Sequence, residues 1–133
     1  MGEAGIRAVS ETGDDDDDAF DALMVELRAE FRATLAGHDA AIAGAWAIWV
    51  SAAGADEREG AFRSLLAVAH KLSGASATFG YPEIGDAADA VETLMLTLAE
   101  APPERPPAVL ATRVAALCAL IAAALVGDAV SAG

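Results

Sequence analysis

From Ala19 to Val126 the apolar residues of this chain return every three or four positions, and no stretch alternates at the period of two that a strand needs. Only helices put such a pattern on one face. The chain has 133 residues, 55% of them hydrophobic but only 5% aromatic. Much of the apolar content is alanine, which favours closely packed helices over a β-sandwich rich in Val, Ile, Thr and aromatics. The length suits one domain with a single core.

The first stripe is Phe20, Leu23, Leu27, Phe31 and Leu35. Gly37-His38-Asp39 interrupts it: the glycine can end a helix in the left-handed conformation and the aspartate can cap the next one. His38 then falls in a loop. A second helix is expected over 40–53, with Ile42, Trp46 and Trp49 inward as core, followed by a polar turn over 54–57. A third spans about 56–78 and stops at Gly80-Tyr81-Pro82, where glycine permits a C-cap and proline suits a new first turn. The fourth, 82–100, puts Ile84, Ala88, Val91 and Met95 on one face. Residues 101–107, with four prolines, form a stiff connector to a last helix over 107–126. The expected fold is all-α, an antiparallel four-helix bundle with an extra short N-terminal helix. Residues 1–18 are expected to be a disordered acidic segment, 19–128 the bundle and 129–133 a tail.

Acidic residues outnumber basic ones by 21 to 8, giving a net charge of −13. Nucleic acid and anionic membranes are thereby disfavoured as partners, because both demand a basic face. A partner with a basic rim would instead be steered towards the chain. Asp14 to Asp18 reads as a solvated helix start, since consecutive carboxylates without a glycine turn do not converge on a cation. Cys118 is the single cysteine, so neither an intrachain disulfide nor a thiolate zinc site is available. The leader lacks the apolar segment of a signal peptide. The apolar run from Val114 to Val126 is 13 residues, short of the ~20 that span a bilayer. A cytoplasmic protein without membrane contact is the expectation.

One residue stands out on the third helix. A wheel centred on Phe62, Leu65, Leu66, Ala69, Leu72 and Ser76 places His70 roughly a third of a turn from the middle of the apolar face. Ala67, Ser73, Gly74 and Ala77 lie one or two turns from it and make a floor of small residues. Arg63 shares its meridian about 10 Å away along the axis, and Lys71 is turned further out. Gly74 in mid-helix costs about 1 kcal/mol against alanine, so a Cβ there is expected to obstruct something. Helix packing and access to the ring would both explain it. A catalytic triad or a metal site is disfavoured, because no Glu, Asp or His sits three or four residues from His70.

Ala69-His70-Lys71-Leu72-Ser73-Gly74-Ala75-Ser76-Ala77-Thr78-Phe79-Gly80 resembles the signature of the histidine phosphotransfer (HPt) domains of bacterial phosphorelays. His70, Leu72, Gly74, Ser76, Phe79 and Gly80 match the family pattern, and Tyr81-Pro82 opening the next helix is also family-like. The resemblance implies a phosphohistidine intermediate in two-component signalling. His70 would accept a phosphoryl group from an aspartyl phosphate on a receiver domain and pass it to another receiver. Response-regulator receivers, and a hybrid histidine kinase, are the implied partners. The chain would need no cofactor or metal of its own, the Mg²⁺ being expected on the receiver. Ala67 and Ala77 would lie under the docked partner.

The family commonly has lysine three residues after the histidine, and here that place holds Ser73. A hydroxyl can bond a phosphoryl oxygen or orient the ring, but carries no charge. Lys71, with a long reach from Arg63, is expected to supply part of it. The alternative is a non-catalytic helical module that binds receivers or kinases without being phosphorylated.

Overall fold

In a computed structural model the backbone is described from Gly2 to Ala132 and the side chains from Asp16 to Gly127. The helices are α1 (Gly2–Ser51), α2 (Ala55–Ala75), α3 (Pro82–Leu98) and α4 (Ala108–Ala132). Each packs on its neighbour in sequence, and α4 returns to α1, closing an up-down-up-down bundle. Among the described residues there is no strand. Most of the expected inward positions from α2 onward are buried, but Leu66, Ala87, Leu94, Leu98 and Leu125 are only half-buried, and Val109, read as inward on the last helix, is 49% exposed. Phe62, Leu65, Ala69 and Leu72 of α2 meet Ile84, Ala88, Val91 and Met95 of α3 and Leu110, Val114, Leu117 and Ile121 of α4. Each large side chain buried in this way contributes roughly 1.5–3 kcal/mol.

Gly37-His38-Asp39 does not end a helix. α1 runs straight through it, so the two leading helices expected from the sequence are one. The reason is phase. Leu35, Ile42, Ala45 and Trp49 fall on one face and are all buried, so tertiary packing outweighs the ~1 kcal/mol that a mid-helix glycine costs. His38 consequently lies on the inward side of α1, half-buried, rather than in a loop.

A second difference concerns the leading half of α1. Phe31 already reaches the turn between α2 and α3, stacking on Phe79 at 5.2 Å and lying 6.0 Å from Tyr81. The helix continues beyond that level, where there is little left to pack against. Phe20 and Leu23 are 61% and 48% exposed, although the stripe read from the sequence turned both inward. The helix assignment reaches back to Gly2 and covers most of the leader read as disordered. The side chains of residues 1–15, including Asp14 and Asp15, and those of the 129–133 tail lie outside the described residues.

The turn after α2 has the expected punctuation. Gly80 takes φ +93°; its N–H donates to the Ala77 carbonyl at 3.2 Å and that of Tyr81 to the Ser76 carbonyl at 2.8 Å. This is a Schellman cap, which satisfies the orphan carbonyls at a helix end. Pro82 then opens α3. At the opposite end the proline-rich connector is tied down. Trp49 donates its indole N–H to the Pro103 carbonyl at 2.9 Å, and Arg105 donates to the Ala52 carbonyl at 3.3 Å. Trp49 is fully buried and meets Phe62 edge-on at 5.5 Å, while Trp46 is half-buried.

α4 is apolar over Ala108–Gly127, 20 residues with a mean hydropathy of 2.3, long enough by length and composition to cross a membrane. The shorter run read from the sequence, 114–126, omitted residues 108–113, among them Arg113. In the bundle its inner stripe of Leu110, Val114, Leu117 and Ile121 is core.

Candidate functional site

His70 projects from the last third of α2, its side chain 75% exposed. Ala69 and Leu72 on either side are fully buried and anchor this stretch of helix against α3. The ring is therefore mounted on a rigid base but faces outward. Ala67, Gly74 and Ala77 are exposed beside it. A Cβ built on Gly74 meets nothing within 4 Å, so helix packing does not require the glycine. Within this chain the space above it is open.

The ring is not alone. Nδ1 of His70 is hydrogen-bonded to Oε2 of Glu92 on α3, a carboxylate only 15% exposed. The second oxygen of that carboxylate, Oε1, lies 3.0 Å from the Ser73 hydroxyl. Ser73 is also 3.1 Å from the His70 carbonyl. His70, Ser73 and Glu92 thus form one cluster across the α2–α3 seam. The sequence search for a titrating partner within one helical turn missed Glu92. The signal was in the hairpin register, because Tyr81 lies eleven residues after His70 and eleven before Glu92. Positions equidistant from the turn of an antiparallel helix pair face one another.

The two cations expected near the ring are differently engaged. Arg63 pairs with Glu59, one turn back on α2, at 2.7 Å. Lys71 is exposed, and its charge bears on His38 of α1, helping burial to hold that imidazole below its ordinary pKa. Neither is paired with the cluster of His70, Ser73 and Glu92. On the far side of α1, Cys118 of α4 is half-buried; desolvation, with the charge and hydrogen bond of Asp39, pushes its thiol up to about 11. That is the opposite of an activated cysteine. Among the described residues no group of three or more His, Cys, Asp or Glu side chains converges as a metal site would.

A neutral imidazole that donates Nδ1–H to a carboxylate keeps its lone pair on Nε2. Here that nitrogen belongs to an exposed ring with small neighbours. The arrangement suits a nucleophile that works on a group carried by another molecule. A family model for the Hpt domain matches residues 26–126, and the chain belongs to that family. No curated protein and no solved structure matches it significantly. Hpt domains work in phosphorelays, in contact with receiver domains and kinases, and a phosphotransfer role in two-component signalling follows for this chain.

Proposed function

We propose that His70 accepts a phosphoryl group at Nε2 from the aspartyl phosphate of a receiver domain and passes it to another receiver. The observation that carries this is the bond from Nδ1 to Glu92, which leaves Nε2 as the nucleophilic atom of an exposed ring. In the forward step the Nε2 lone pair attacks phosphorus in line. The bond from phosphorus to the aspartyl oxygen breaks, and the carboxylate leaves with its electron pair. The ring becomes positively charged, and Glu92 beside Nδ1–H stabilises that charge. Onward transfer is the same step reversed against a second aspartate.

Phosphoryl transfer depends mainly on positioning and charge neutralisation. The bundle supplies the position. The Mg²⁺ and most of the neutralising charge would come from the receiver, with Lys71 as this chain's own contribution and Arg63 held back by Glu59. Gly74, Ala67 and Ala77 would let the receiver's loops close over the ring. A cytoplasmic location goes with this role.

The test is incubation with a phosphorylated receiver. Label should appear in an acid-labile, alkali-stable form and be lost in His70→Gln. Label that persists in the variant, or binding without any label in the native chain, overturns the assignment.

A further inference from the structure

Ser73 occupies the place where the family commonly has lysine, and its hydroxyl has one proton to give. Two acceptors are in range, the His70 carbonyl at 3.1 Å and Glu92 Oε1 at 3.0 Å. The first is the back-bond that serines make routinely in helices. The second is to a carboxylate, which accepts more strongly than a carbonyl. The Glu92 side chain is only 15% exposed, so water competes weakly for its oxygens. If Oε1 accepts from Ser73 while Oε2 accepts from His70 Nδ1, both oxygens have a donor and the carboxylate is held at two points.

We propose that Ser73 is a positioning residue, whose hydroxyl fixes Glu92 in the orientation that accepts from Nδ1–H of His70 and so leaves Nε2 bare. Its contribution is direction, where a lysine would bring charge. The proposal rests on the phosphorelay reading for its purpose, but its physical content is the tautomer of an unphosphorylated ring. A serine that only back-bonds to its own helix would leave Glu92 held by the histidine alone, and the tautomer would not depend on Ser73.

The experiment is nitrogen NMR of the full chain labelled in its histidines, read on the alkaline plateau where the ring nitrogen shifts no longer change with pH. The two rings are assigned with His38→Gln. In the native chain His70 should show a protonated Nδ1 and a bare Nε2. Ser73→Ala should raise the population of the opposite tautomer roughly threefold, the effect of removing one support of modest strength. Ser73→Thr, which keeps the hydroxyl, should restore the native shifts. Shifts in Ser73→Ala that coincide with the native ones overturn the proposal, as does failure of the threonine variant to restore them. Transfer assays are separate from this readout. A native chain that takes no label would sink the phosphorelay reading and leave the tautomer result standing. Normal labelling with an unmoved tautomer in Ser73→Ala would sink only the positioning role.

Discussion

Glu92 holds Nδ1 of His70 across the seam between α2 and α3, although twenty-two residues separate them in the chain. The pairing is a property of the helical hairpin. Any change that slips α3 along α2 by one turn would carry the carboxylate about 5 Å away from the ring. The Schellman turn at Gly80 and the seam packing of Ala69, Leu72, Ala88 and Val91 therefore set the chemistry as well as the fold.

Removal of the carboxylate should be felt in rate more than in folding. Glu92→Ala is expected to slow phosphoryl transfer about tenfold, the equivalent of one hydrogen bond to a charged group. Its thermal midpoint should stay near that of the native chain. Rapid-quench transfer from a phosphorylated receiver measures the rate, and an unchanged value would remove Glu92 from the mechanism.

Gly74 separates stability from access. Because a Cβ there meets nothing within 4 Å, Gly74→Ala should stabilise the bundle by up to about 1 kcal/mol in urea melts. Gly74→Phe should also fold but obstruct the partner, slowing transfer while circular dichroism stays native. A phenylalanine variant with full transfer would show that the receiver does not cross this surface.

Gly80 is a different kind of glycine. Its φ of +93° is unfavourable for any L side chain, and a Cβ would sit 2.9 Å from Nε of Arg28, which itself donates to the Phe79 carbonyl. Gly80→Ala should destabilise the chain by about 1–3 kcal/mol, the range for strained backbone. Adding Arg28→Ala should recover only the part due to the clash. Denaturant midpoints of the single and double variants resolve the two contributions.

His38 makes stability depend on pH. Burial first, and then the charge of Lys71, lowers its pKa in the folded chain, so the unfolded chain binds the proton more readily. Stability is therefore fully present above the ordinary imidazole value of about 6.5 and declines as pH falls towards the folded pKa. Between about pH 7.5 and 5.5, above the main carboxylate titrations, the native midpoint should fall. His38→Gln should flatten that dependence, and a slope that survives in the variant would place its origin elsewhere.

Much of this architecture can be read along the chain because its signals are local. The stripes of α2, α3 and α4, the glycine and proline that separate α2 from α3, and the outward face of His70 all follow from helical periodicity within a few turns. Three features do not. The continuity of α1 through Gly37 depends on Leu35 and Ile42 finding the same core, which outweighs a local break signal. The exposure of Phe20 and Leu23 depends on how far α1 outruns its neighbours, a comparison of lengths that no single stripe contains. Glu92 comes into view only when α3 is folded back on α2. The contact of the Ser73 hydroxyl with that carboxylate comes into view at the same step.

The fastening of the connector through Trp49 and Arg105 has a consequence for the opposite half of the molecule. Those bonds lie at the start of α2, some fifteen residues before His70 and so about 22 Å along the helix. These bonds fasten the connector at the end of the bundle away from the histidine. The outer surface around the histidine can consequently consist of alanine and glycine, which offer a visitor little to grip and nothing to push aside. A relay protein needs that combination, since a station that held its callers firmly would stop the traffic it serves.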